Sequence, residues 1–157
     1  MDYSFGLAMG LHTLAVLVWV GGMFFAHMIL RPGVMDMPLP ERLALWRRVL
    51  ARFFRWVWAS IAVILVTGYG VLLLGYRGGV SGGPTHVGVM QVGGLVMMAL
   101  FIQLYFGPWH GFKQALVAGD LDKAVDYQVR MRHIIVTNLI LGLATTVVGA
   151  VGSLLGS

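Results

Sequence analysis

Long runs of apolar residues dominate the chain and alternate with shorter polar connections. Four of these runs cover residues 5–30, 57–74, 87–106 and 134–155. Each is close to the ~20 residues with which a helix crosses ~30 Å of hydrocarbon. Unbroken apolar runs favour helices, because the strands of a membrane barrel alternate in shorter segments. The pattern predicts an all-α membrane protein, a single domain over residues 1–157 built as a bundle of four transmembrane helices.

Composition supports a bilayer protein. Of the 157 residues, 59% are hydrophobic and 11% are charged, whereas soluble domains carry about 25% charged residues. This composition excludes a soluble enzyme and a nucleic-acid-binding domain. The lipid bilayer is therefore the expected partner of the chain. The chain has no cysteine, so thiolate metal sites, iron–sulfur clusters and covalent c-type haem attachment are excluded.

Basic residues give the expected orientation. Ten of the eleven lysines and arginines lie in the first and third connections, and Arg77 alone lies in the second. Because basic connections stay in the cytoplasm, both termini and the glycine-rich segment 75–84 are expected on the outer side. The expected location is the inner membrane of a bacterium, with periplasmic termini.

Residues 41–56 combine apolar residues at helical spacing with arginines in the gaps. This predicts a basic amphipathic helix lying on the inner membrane surface before the second span. As an alternative, Arg52 and Arg55 reach inward to carboxylates of a cofactor such as haem propionates.

Glycine is frequent, with 22 residues. Gly6 and Gly10, and likewise Gly152 and Gly156, have the four-residue spacing of close helix contacts in membranes. Packing inside one bundle is favoured over a homodimer through these glycine-rich faces, because four helices must first pack on each other.

The five histidines are the main candidates for chemistry, because ionisable groups near the bilayer are expensive. His12 lies roughly 9 Å inside the first span at 1.5 Å per residue. It is either a ligand or a hydrogen-bonded structural histidine. The topology puts His86 near it on the outer side and forms an inner trio of His27, His110 and His133. His86 and His110 are about 36 Å apart along a straight helix, which favours one haem over two.

Methionine offers a different hypothesis. Met23 and Met28 flank His27, and further methionines line the third span. Thioether and imidazole groups together suit copper, especially the cuprous ion.

Residues 11–25 read LHTLAVLVWVGGMFF. They resemble the opening helix of the copper-resistance D (CopD) family, and are similar to that of the four-helix haem-binding membrane protoporphyrinogen oxidases. The second resemblance implies that His12 ligates haem b. The oxidases carry His-x-Lys at the start of the third span, whereas here His86 is followed by Gln91 and no lysine before Lys113. The resemblance therefore implies haem binding more than that reaction, and leaves enzymatic activity open.

The leading hypothesis is an inner-membrane protein that binds haem b and has a redox or electron-transfer role, with a redox protein or quinone as partner. His12 and His86 are the expected axial ligands, and the inner trio is a second site for haem or another metal. The first alternative is copper transport or resistance, using His27 with Met23 and Met28. The second is a structural or assembly subunit without a cofactor.

Overall fold

The computed structural model describes residues 3–75 and 84–155. The predicted loop that contains Arg77 lies largely outside them, as does Gly156 of the second glycine pair. The described part is helical apart from short connections. It contains α1 (Tyr3–Phe25), a π-helical turn (Ala26–Leu30), α2 (Arg31–Gly33), α3 (Leu39–Gly75), α4 (Thr85–Phe106), α5 (Pro108–Val117) and α6 (Leu121–Leu155).

Within residues 3–75 and 84–155, four stretches are long and apolar enough to cross a membrane, as the sequence predicts. They cover Tyr3–Gly33, Leu39–Leu73, Thr85–Val117 and Leu121–Gly152. Many large apolar side chains stay exposed on the bundle surface, such as Leu17, Val66 and Ile140. Such a surface is unfavourable in water and is what hydrocarbon requires.

The second span differs from the prediction in one respect. Residues 41–56 are helical, but they form the first half of α3, which runs unbroken from Leu39 to Gly75. Helical hydrogen bonding continues through Trp56 because no glycine or proline interrupts it. The amphipathic segment is therefore continuous with the span and is not a separate surface helix.

Pro108 ends α4 where the sequence predicts. Gly107 leaves helical geometry and Pro108 starts α5, where its missing N–H costs nothing. At the other end of α5, Gly119 adopts φ +73°. Gly119 N–H bonds the Leu116 carbonyl and Asp120 N–H bonds the Ala115 carbonyl, which is a Schellman motif.

Asp120 then caps α6. Its carboxylate accepts a hydrogen bond from the Lys123 backbone N–H at 3.1 Å and pairs with Lys123 Nζ at 3.2 Å. These two contacts, the backbone bond first, hold the pKa of Asp120 below its usual value.

An aromatic core fills the middle of the bundle. Phe54 of α3 contacts Phe101 of α4 at 5.5 Å and Trp109 of α5 at 5.1 Å between ring centroids, and Trp19 of α1 contacts Phe101 at 6.2 Å. All three pairs are edge-to-face, the arrangement that ring quadrupoles favour. α1 packs mainly on α3, and α4 and α5 pack on α6. This core separates two cavities at opposite ends of the bundle.

Candidate metal-binding cavity

The larger cavity, of about 610 Å³, lies between the start of α1, the end of α3, the start of α4 and the end of α6. We call it the histidine cavity, because both His12 and His86 line it. Its wall also includes four methionines: Met9, Met90, Met97 and Met98. Among the described residues that line it, none carries a carboxylate, lysine or arginine. The sequence-predicted outer pair of histidines thus lies on one apolar cavity of a size typical for ligand sites.

The neighbouring helix α3 fixes the ring of His12. Nδ1 of His12 lies 3.0 Å from Oγ1 of Thr67. The Thr67 hydroxyl donates its only hydrogen to the Val63 carbonyl at 2.6 Å, so its oxygen accepts from Nδ1–H. This bond selects the tautomer in which Nε2 carries a lone pair, the usual state of a metal-bound imidazole whose other nitrogen is hydrogen-bonded.

Glycines of α3 and α6 are in close contact with the side chains that could bind a metal. A Cβ added at Gly68 would stand 3.2 Å from Cε1 of His12, and one at Gly149 would stand 2.9 Å from Sδ of Met90. A Cβ at Gly152 would clash with Cβ of His86, and one at Gly142 would stand 3.0 Å from Cε of Met97. Four potential metal ligands therefore pack directly against a glycine: His12, His86, Met90 and Met97.

Two further polar side chains form hydrogen bonds between helices near the cavity. Gln91 Nε2 of α4 donates to the Tyr69 hydroxyl of α3 at 3.2 Å, and Asn138 Nδ2 of α6 donates to the Met97 carbonyl at 3.1 Å. Asn138 is 2% exposed, and its Oδ1 has no hydrogen-bond partner. These bonds hold α4 against both neighbours at the cavity wall.

The inner histidines do not come together. His27 is half-buried and lines the smaller cavity, whereas His110 and His133 are exposed. His110 Nε2 accepts from the Gln114 side-chain amide at 3.0 Å within α5. Among the described residues, no group of three histidine or carboxylate side chains could hold a metal ion. Of these three histidines, His27 alone lines a cavity that the structure describes, and the other two have exposed side chains.

Arg52 and Arg55 do not reach inward. Both are exposed on α3, and Arg52 precedes Gly68 by 16 residues, about 24 Å along the helix. Neither side chain is therefore placed to reach a haem held by His12, and the pairing of these arginines with carboxylates of a cofactor elsewhere stays a prediction. The methionines around His27 also separate: Met23 is 2% exposed within the core, whereas Met28 is 55% exposed and lines neither cavity.

Two groups of side chains that lie together in the structure were not predicted from the sequence. The first is the association of α4 methionines with the outer histidines. His86, Met90 and Met97 fall within about 40° on one helical face at 100° per residue, so this spacing was a readable signal. The second is the set of arginines on the smaller cavity, Arg31, Arg42 and Arg132. They come from three separate segments and leave no local pattern.

The fold and the cavity define a polytopic membrane protein with a ligand-sized, imidazole- and thioether-lined cavity inside a four-helix bundle. More specifically, the chain belongs to the family of copper resistance protein D (CopD), whose family model matches residues 47–152. The match covers more than half of the chain, from α3 into the end of α6, and leaves out α1 with His12. No curated protein and no solved structure matches the chain.

Proposed function

We propose that this protein binds the cuprous ion as cargo in the histidine cavity, within a role in copper handling at the membrane. The observation that carries the proposal is the joint lining of one uncharged cavity by two imidazoles and several thioethers. These neutral, soft donors select Cu(I) among the biological metals. Membership of the copper resistance family supports copper as the metal.

The charge of the lining argues for a monovalent ion. A divalent ion buried without a carboxylate or thiolate would keep its full charge in an apolar cavity, which is costly. Cu(I) carries one charge and accepts neutral thioethers. His12 would bind through Nε2, since Nδ1 is bonded to Thr67, and the flexible thioether of Met90 would complete the site from α4.

Competition for Cu(I) tests the proposal. We expect the detergent-purified protein, kept anaerobic, to take one Cu(I) from a chromophoric cuprous chelator. His12→Ala and Met90→Leu should each weaken this binding by about tenfold or more. The matched controls, His110→Ala and Met28→Leu, remove the same groups from exposed positions outside the cavity and should bind as the wild type does. Equal binding by all four variants, or no binding by the wild type, would overturn the proposal.

Haem b is the second candidate, favoured by the cavity volume of about 610 Å³ and by the two histidines on its wall. In that case, His12 and His86 would be the axial ligands, and the protein would supply an apolar pocket for a redox role. The described cavity lining offers no basic partner for propionates. A Soret band in the purified protein, lost in His12→Ala and unaffected by Cu(I), would favour haem over copper.

We further propose that the end of the bundle with Arg31, Arg42 and Arg132 faces the cytoplasm of a bacterium. The support is the concentration of basic residues in the first and third connections, which the positive-inside rule assigns to the cytoplasm. The histidine cavity would then lie on the periplasmic side, where it could receive copper from outside the cell.

A further inference from the structure

The smaller cavity, of about 180 Å³, lies at the opposite end of the bundle from the histidine cavity. Three helical segments contribute cationic or polar side chains to it. The segment after α1 contributes His27 and Arg31, the start of α3 contributes Arg42, and α6 contributes Gln128 and Arg132. We call it the arginine pocket.

No carboxylate among the described residues balances the three guanidinium charges of the arginine pocket. Arg42 Nη1 donates a hydrogen bond to the Met35 carbonyl at 3.0 Å. This bond satisfies one N–H group but does not neutralise the positive charge. In the described part of the chain, the one ion pair joins Lys123 to Asp120. The carboxylates of Asp36, Glu41 and Asp126 do not line the pocket.

Arginine cannot relieve this repulsion by losing its proton, because a guanidinium group stays protonated in proteins. All three arginines are half-buried, so water screens them less than it screens surface charges. Their forked donors match the oxygens of a phosphate, sulfate or carboxylate group. An anion in the pocket would therefore remove the repulsion and satisfy the donors at once.

The backbone around His27 and Arg31 is shaped for this convergence. Residues 26–30 form a π-helical turn that ends at Arg31, whose N–H bonds the Ala26 carbonyl. Pro32 follows; it contributes no N–H and would crowd the carbonyl four residues earlier in a regular helix. The wider turn changes the angular register of the helix just where the side chains of His27 and Arg31 join the pocket, and such turns are frequent at functional sites.

The position of the pocket indicates where its anion comes from. Arg31 lies at the end of the first span, Tyr3–Gly33, so the pocket is close to the level at which lipid phosphates meet the protein. The wall around the arginines is apolar and includes Trp46 and Leu50, which suits the boundary between headgroup and hydrocarbon. The volume of about 180 Å³ is large enough for a phosphate group.

We propose that the arginine pocket binds a phosphate group, either the headgroup phosphate of an anionic phospholipid or free inorganic phosphate. The pocket is separate from the histidine cavity and does not depend on copper. Its anion would tie the end of the first span to α3 and α6.

Reconstitution with defined lipids tests this proposal. The full-length protein is placed in nanodiscs of phosphatidylcholine alone, or of phosphatidylcholine mixed with phosphatidylglycerol, and its thermal unfolding is followed. We expect phosphatidylglycerol to raise the unfolding temperature and to be retained when the protein is extracted. Arg132→Gln and Arg31→Gln should each weaken this retention by about fivefold or more.

The matched control is Arg55→Gln, which removes an exposed arginine of α3 at the same end of the bundle. It should retain phosphatidylglycerol as the wild type does. Equal loss in Arg55→Gln and Arg132→Gln would show a diffuse basic belt and overturn the proposal. Arg132→Lys keeps the charge but loses the fork, so it should recover only part of the retention.

Inorganic phosphate distinguishes the two sources. Added to protein in phosphatidylcholine alone, it stabilises the wild type and not Arg132→Gln if the pocket takes free phosphate. Stabilisation by phosphatidylglycerol without a response to inorganic phosphate identifies the lipid. Absence of both responses in the wild type would overturn the proposal, and this result does not rely on any variant folding.

Discussion

His12 combines a polar ring with a membrane-spanning position, and a neighbouring helix satisfies half of its hydrogen-bonding capacity. The bond between Nδ1 and Thr67 joins α1 to α3 over 55 residues of sequence. Because the Thr67 hydrogen is committed to Val63, this threonine acts on the ring as an acceptor. The bond to Thr67 satisfies one polar nitrogen of His12 inside the bundle. It also leaves the lone pair of Nε2 available to bind a metal.

Replacing Thr67 tests whether its bond to Nδ1 positions His12 as a copper ligand. In Thr67→Val, the imidazole loses its acceptor and is free to change tautomer or rotate. We expect the cuprous affinity to fall by about tenfold, in the range found for partners that orient metal ligands, while copper stoichiometry stays the same. The measurement is the same chelator competition that tests His12.

Thr137→Val is the matched control for that substitution. Thr137 also donates to the carbonyl four residues earlier, that of His133 at 2.9 Å, but it bonds no imidazole ring. An equal fall in affinity in both variants would contradict the positioning role of Thr67.

At the scale of helices, α6 approaches its neighbours through glycine. Gly142 lies against Val20 of α1 and Met97 of α4, and Gly149 lies against Met90. Helices in lipid gain stability from close packing, because lipid provides no hydrophobic drive for their association. The described glycines of α6 therefore serve contacts within one bundle. Gly6 and Gly10 have open space beside them, so the homodimer through these faces stays a prediction.

Gly142→Ala tests the packing of α6. The new Cβ would lie 2.8 Å from Cγ2 of Val20 and 3.0 Å from Cε of Met97, so either the helices separate or the side chains leave their rotamers. We expect a loss of about 1–3 kcal/mol in unfolding free energy, measured as a lower unfolding temperature in detergent.

Gly21→Ala is the control, because a Cβ at Gly21 meets nothing within 4 Å. Here the higher helix propensity of alanine should leave the protein as stable as the wild type, or up to about 1 kcal/mol more stable. Destabilisation of both variants alike would show that close approach at Gly142 is not the cause of the loss, and would contradict the packing role of this glycine.

At the scale of the whole molecule, the two ends of the bundle have opposite character. One end holds an uncharged cavity with soft ligands, and the other holds a pocket whose three arginines form no ion pair with any described residue. The aromatic core around Phe54 and Phe101 lies between them. A cation and an anion could thus be bound in one small bundle without direct contact.

Cysteine labelling tests the proposed orientation, and the natural chain has no cysteine to interfere. Tyr3 is 98% exposed at the end of the histidine cavity, and Val117 is 77% exposed at the opposite end. In intact bacterial cells, a membrane-impermeant maleimide should label Tyr3→Cys and spare Val117→Cys until the cells are opened. The reverse pattern would place the histidine cavity on the cytoplasmic side.

The sequence alone determined the features that depend on position along the chain. The four spans follow from bilayer thickness, the end of α4 follows from Gly107 and Pro108, and the common level of His12 and His86 follows from counting residues along their helices. Each of these rests on local geometry, so neighbouring helices need not be known.

Tertiary structure decided everything that depends on rotation and contact between helices. It joined His12 to Thr67, separated His27 from His110 and His133, turned Arg52 and Arg55 outward, and gathered Arg31, Arg42 and Arg132 instead. The angle at which each helix faces its neighbours comes from packing between residues far apart in sequence, such as Asn138 on Met97. Hydrophobic periodicity carries little of that information here, because a span between lipid and core is apolar on every side.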